Sequence, residues 1–493
     1  MTEDNLKWWV LGTVIVGTFL GRLDQTIVNI ALPKIIDDFS IGVSSAAFIG
    51  TAYILANAVF VPVWGKLGDT IGRKKVYMIG FSIFIVGSIL AGLSWNLTSM
   101  IVFRVIQAIA GSADYPTAMA IIAVTFKEER DRAKALGLWS TSFAAASVFG
   151  PLIGGPLIDV FGWRSVFLIN LPVGLVGMGM ASYFIRESVS KNKNSHFDWW
   201  GAITLGIMLS SLVLVLDKGV NWGWFSSKSI IVYLITIIFT IIFIKIENRQ
   251  VEPIVDFNFF RNSIFMGALA NNFIVFMGLM GSIFLIPIFV STFLGFNATK
   301  TGLVFIPMAL CMVIGAQLGS RLTGKVRSHY VITVSTFVTA TGLYLFSIFL
   351  DSRSGVIDII IPLSIMAFGL GFGMAQRTAA IAAAVPEKEI GVASSVLALA
   401  RNIAGAFGIA IFATLLDNSI KNHVVATATH SSIHATSIVG YQQAIGLIVL
   451  NAQIGGYKTV FIISGIVVFI GAIVAYFVKL DKEPAKNGLI LRK

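Results

Sequence analysis

Gly65-Lys66-Leu67-Gly68-Asp69-Thr70-Ile71-Gly72-Arg73-Lys74-Lys75 carries five charges in eleven residues, and its flanks, 44–64 and 76–94, hold no Asp, Glu, Lys or Arg. Each flank has about the 20 apolar residues that carry a helix across a bilayer. Inside lipid every backbone N–H and C=O needs an internal partner, so such segments fold as helices. The polar stretch is then a turn between two spans. Its glycines let the chain reverse tightly, Asp69 offers an acceptor, and the basic cluster keeps the turn in the cytoplasm.

Working outward, the same reading gives fourteen spans, near 8–33, 44–64, 76–94, 98–125, 135–157, 163–185, 200–216, 229–246, 263–290, 301–320, 330–350, 356–384, 391–415 and 459–478. Composition agrees: the chain is 56% hydrophobic and 12% charged, with a mean hydropathy of +0.86, whereas soluble domains are about 25% charged. Its 47 glycines suit close helix approach in lipid. The single cysteine, Cys311, excludes an internal disulfide framework and a cysteine metal cluster, and no metal site is expected.

The net charge of +12 has a topological explanation. With an even span count and both termini cytoplasmic, inside segments hold 24 of the 36 Lys and Arg and outside segments eight, the bias that short cytoplasmic loops show. A nucleic-acid partner is therefore not expected; the partner is the lipid bilayer. The first span is too long for a signal-peptide core and is read as retained. One long outside loop, 416–457, is expected as a hairpin or an interfacial segment.

Several motifs carry a family resemblance. The pattern G-x-L-x-D-x-x-G-R-K at Gly65–Lys74 resembles the loop signature of the major facilitator superfamily, whose Asp and Arg, here Asp69 and Arg73, latch the outward-facing state together with Gly65 and Gly72. Gly319-Ser-Arg321-Leu-Thr323-Gly-Lys325 is its degraded repeat in the second half. Gly150-Pro151-Leu-Ile-Gly154-Gly155 resembles the antiporter motif of exporters. Leu23-Asp24-Gln-Thr-Ile-Val-Asn29-Ile-Ala-Leu-Pro33, Arg104-Val-Ile-Gln107, Trp163-Arg164 with Asn170-Leu-Pro172, and Arg401-Asn-Ile-Ala-Gly405 resemble the fourteen-span drug:proton antiporters of EmrB and QacA type.

The resemblance implies an all-α major facilitator fold: a six-helix half at 1–186, a connection with two extra spans at 187–262, and a second six-helix half at 263–493. It implies a non-enzymatic, proton-coupled antiporter in the inner or plasma membrane that exports hydrophobic compounds, with no cofactor beyond the coupling proton. EmrB-like members engage a periplasmic adaptor. The alternatives are export of an endogenous lipid, siderophore or metabolite, and a nutrient-importing symporter, which the span-five motif opposes.

Ionisable residues within spans are functional candidates by default. Six qualify: Arg22, Asp24, Arg104, Asp114, Arg377 and Arg401. At about 1.5 Å rise per residue, Asp24 and Arg104 lie at similar depth and can meet. Burial disfavours a charged carboxylate and a nearby guanidinium favours it, so small changes in hydration or distance would load or release a proton. A static pair joining two helices is the alternative. Asp114 either compensates Arg22 or faces the cavity as a second proton site. The second half has no mid-span acid, which favours neutral, monocationic or weakly acidic substrates. Gln107, Asn271, Asn272 and Phe276 either line the cavity or pack. Gly369-Leu-Gly371-Phe-Gly373 sits in an apolar helix, away from any strand or phosphate-binding Lys, and reads as helix packing.

Overall fold

The computed structural model describes residues 3–188, 198–250, 253–323, 325–351, 353–385, 390–430 and 438–477. They form helices α1 (Glu3–Phe39), α2 (Val43–Ile71), α3 (Arg73–Gly92), α4 (Leu97–Gly111), α5 (Asp114–Thr125), α6 (Glu129–Phe161), α7 (Ser165–Leu168), α8 (Asn170–Phe184), α9 (Trp199–Trp222), α10 (Ser227–Glu247), α11 (Ser263–Leu294), α12 (Ala298–Leu322), α13 (Ser328–Phe349), α14 (Val356–Ala383), α15 (Ile390–His430) and α16 (Ile438–Phe477). With α4–α5 and α7–α8 each taken as one span, thirteen spans among the described residues have the length and apolarity to cross a membrane. The other is α6, 33 residues long, whose described apolar part is Val148–Phe161. The chain is a multi-pass membrane protein.

Three local features differ from the sequence reading. The polar stretch 65–75 is not a loop: α2 continues through Gly65, Gly68 and Asp69 to Ile71, and α3 starts at Arg73. The reversal falls on Gly72 alone, at φ 115°, where a side chain would clash with the backbone. Gly65 serves packing, since a Cβ there would lie 3.3 Å from Pro116.

Span four is not one helix. It breaks at Ser112–Ala113 between α4 and α5. Pro116 has no N–H to give the Ser112 carbonyl and its ring crowds that oxygen, so the helix yields one turn earlier. The stretch 416–457, expected as a loop, is helical up to His430 and again from Ile438. A Cβ on Gly455 would meet the His423 ring at 2.7 Å, and one on Gly456 would meet Ile420 at 2.7 Å. The glycines thus let α16 lie flush on α15.

The chain forms two compact units. The first comprises Met1–Ile254, Gly281–Ile306 and Ile409–Thr414. Its core joins Val14, Leu20, Tyr77, Phe81, Phe84 and Trp139, and α9 of the extra pair packs on α2. The second comprises Val255–Met280, Pro307–Gly408 and the chain from Leu415, with α13 against α14 and α16. Gly369 and Gly371 lie mid-α14, where a Cβ would press on Thr339 and on the Met312 carbonyl respectively. This is helix packing and not a nucleotide loop.

Candidate functional site

Asp24, Arg104, Gln107, Asn170 and Ser88 converge from α1, α4, α8 and α3 in the first unit, each 2% exposed or less. Arg104 Nη1 donates to Asp24 Oδ2 at 2.5 Å and to Gln107 Oε1 at 2.5 Å. Gln107 Nε2 and Asn170 Nδ2 each donate to Asp24 Oδ1 at 2.9 Å. Both amides also reach Ser88 Oγ, Asn170 at 2.9 Å. The guanidinium stacks 4.0 Å from the Tyr53 ring centroid. Every group facing the carboxylate is a donor.

Packing sets this geometry. Gly87 lets α3 touch the backbone of Gln107, which a Cβ would approach to 2.9 Å; any larger residue would push Gln107 away from Asp24. On the other side of α1, a Cβ on Gly150 would collide with Thr26 and one on Gly154 with Ile27. The expected antiporter motif therefore presses on the turn that carries Asp24. Gly155 meets Thr299 on the first turn of α12, and the Pro151 carbonyl lies against Gly302. One residue turn further out, Asp159 accepts from the N–H of Ala298 at 3.0 Å and of Thr299 at 2.9 Å, and from Thr299 Oγ1 at 2.5 Å.

Asp114 and Arg22 form a second cluster. The two lie close enough to attract. Arg22 Nη1 also donates to Gln25 Oε1 at 3.0 Å. Asp114 Oδ1 has no partner among the described residues and lines a cavity of ≈ 10 Å³ with Gly17, Gly21, Gly80 and Gly111. That is about the space of one water.

At the turn between α2 and α3 the side chain of Asp69 lies outside the described residues. Arg73 N–H donates to Ser188 O at 3.0 Å, and the N–H groups of Lys74 and Lys75 donate to the Glu187 carboxylate at 3.1 Å each. Glu187 therefore caps α3 from the end of span six. The degraded repeat is held differently: Gln376 Nε2 donates to Gly319 O at 2.5 Å.

In the second unit, Arg377 is 1% exposed and donates to Asn271 Oδ1 at 2.8 Å, Ser335 Oγ at 2.9 Å and Thr336 Oγ1 at 3.0 Å. Asn271 in turn donates to Gly471 O at 3.0 Å. This closed network ties α11, α13, α14 and α16 together. Arg401 instead meets Asn272 and Phe276 on a part-exposed face. Sequence reasoning missed Asn170 as a partner of Asp24, Ser88 as the acceptor behind Gln107 and Asn170, and Glu187 and Gln376 as clamps. Asn170 had a signal, in its Asn170-Leu-Pro172 motif; a lone serine in an apolar helix has none.

The model of the Major Facilitator Superfamily matches residues 14–409. The chain belongs to the major facilitator superfamily. It is 32% identical over 419 residues to "Multidrug transporter protein MdtP" of Bacillus subtilis, covering 84% of this chain and 76% of that one. It is 31% identical over 426 residues to "Multidrug resistance protein 3" of the same organism, covering 85% and 81%. Among solved structures, a bacterial homologue of the human lysosomal transporter Spinster, inward-facing and unoccupied, superposes with a TM-score of 0.71 at 16% identity, covering 97% and 99%. That likeness shows the facilitator fold. The first of these relatives is named a multidrug transporter and the second a multidrug resistance protein.

Proposed function

We propose that this facilitator is a proton-coupled antiporter that exports hydrophobic and amphiphilic compounds by alternating access, from a cell membrane with both termini in the cytoplasm. The observation that carries the reading is the buried Asp24, held by three donors from two other helices. A proton on Asp24 removes the charge that attracts Arg104 and needs an acceptor of its own. Asn170 Oδ1, which lacks a partner among the described residues, supplies one when the amide turns over, because its oxygen and nitrogen then exchange places. Loading a proton thus loosens the tie of α1 to α4 and reverses the sense of its bond to α8. Asp114, with its unfilled oxygen beside a water-sized cavity, is the second carrier in this proposal.

Export rather than import is supported by the antiporter-type glycines pressed on the Asp24 turn and by the multidrug names of the relatives. The part-exposed Arg401 face of the second unit is the polar lining assigned to the substrate; a periplasmic adaptor is a further element, to be sought by cross-linking in cells. Proteoliposomes with an imposed proton gradient test the reading. The compound should move against the direction of proton flow; movement with the protons would make the protein a symporter.

A further inference from the structure

Three helices of the second unit bring donors to one place around Arg401. Arg401 Nε on α15 donates to Asn272 Oδ1 on α11 at 3.2 Å, and Nη2 donates to Thr378 Oγ1 on α14 at 3.3 Å. The guanidinium lies 5.1 Å from the Phe276 ring centroid, one turn along α11 from Asn272. Phe273 and Phe407 pair edge to face at 5.9 Å on the same two helices.

Asn272 is 1% exposed, and its Nδ2 has no hydrogen-bond partner among the described residues. Its oxygen is already engaged by Arg401, so the unfilled amide donors stand beside the guanidinium. An unmade hydrogen bond in a buried setting is costly, which marks the position as one completed by something else. Arg401 and Phe276 are part-exposed and Thr378 is exposed. A guanidinium about ten residues into a membrane helix does not turn its open side to hydrocarbon, so that side is wetted.

The cluster offers a planar cationic fork, an amide NH₂ and a hydroxyl next to aromatic rings. Arg377 lies near enough for its charge to act on Arg401, and its own described partners are neutral. The acids inside described spans of the second half, Asp358 on α14 and Asp417 on α15, lie twenty residues from Thr378 and sixteen from Arg401 along the same helices, roughly 30 and 24 Å of helix rise. A cationic head would meet the like charge of the guanidinium here. An acceptor-rich anion would fill the Asn272 donors and gain charge-assisted bonds from Arg401.

We infer that the Arg401–Asn272–Thr378 cluster binds the anionic head, carboxylate or phosphate-like, of an amphiphilic cargo whose apolar body lies on the phenylalanines. This rests on the exporter reading and narrows its substrate class.

Equilibrium fluorescence titration of the purified protein in phosphatidylcholine nanodiscs tests it with pyrenebutyrate, its uncharged carboxamide, and pyrenebutylamine. The carboxylate should bind about tenfold or more tighter than the amide, with the amine weakest. Arg401→Gln should level the three, and Arg401→Lys should keep part of the preference. Equal binding of the carboxylate and amide by the unaltered protein would overturn the inference, whatever the variants do. So would a full preference retained by a stably folded Arg401→Gln protein. Nanodiscs containing phosphatidylglycerol should leave pyrenebutyrate affinity unchanged; its loss there would give the site to a lipid headgroup and overturn the cargo assignment. Failure of the exporter reading shows separately, as absence of proton-driven movement of any compound.

Discussion

Asp24 accepts from Arg104, Gln107 and Asn170, and each donor comes from a helix other than its own. Removing Arg104 leaves a buried carboxylate without its cation, and breaking such a pair costs about 3–5 kcal/mol. Arg104→Ala should therefore lower the thermal unfolding temperature clearly, and Asp24→Ala in addition should restore part of the loss; simple additivity would argue against a coupled pair. Asn170→Ala should spare binding and slow proton exchange, read as a change in transport rate at unchanged affinity. The same logic applies to Arg22 and Asp114: the loss of thermal stability in Arg22→Ala should be relieved in part by adding Asp114→Ala. Much of this was legible in the sequence. Asp24 and Arg104 stand out as charges in apolar helices, and helix rise alone puts them level. Asn170 was marked by its Asn170-Leu-Pro172 motif, but its bond to Asp24 and the role of Ser88 were not legible, because tertiary packing alone aims small polar side chains in lipid-spanning helices.

At the scale of helices, the site depends on contacts too close for a side chain. Gly87→Val would force α3 off the Gln107 backbone. Overpacking of this kind costs about 1–3 kcal/mol, and proton-driven transport should fall more than stability does, measured side by side in one preparation. The break before Asp114 follows from Pro116, which is plainly in the sequence; apolar length alone still reads 98–125 as one span, because hydropathy is blind to a missing N–H. Pro116→Ala should restore the bond to Ser112, rejoin α4 to α5 and slow amide exchange around 112–117. The turn at 65–75 was misplaced for a related reason. Charge marks where a chain leaves lipid, whereas a helix ends only where the backbone must change hand, and that point is Gly72. The polar C-terminal end of α15 hid its helix in the same way, whereas the start of α16 was read as an apolar piece too short to cross.

At the scale of the molecule, the spread of Lys and Arg and the run of apolar spans set the fold class before any coordinates, because both follow from the bilayer as solvent. With Cys311→Ser as background, a cysteine at Lys75 should be labelled by an impermeant maleimide only from the cytoplasmic side, and one at Lys34 only from outside. How charges move through such a molecule depends on Asp24, and the most direct test is substrate-induced proton release. Purified protein in weak buffer with a pH indicator is mixed with a compound to which it confers resistance in cells. The unaltered protein should release protons on binding, and Asp24→Asn should bind without release. Full release from Asp24→Asn, or binding to the unaltered protein with no release, would contradict exchange at Asp24.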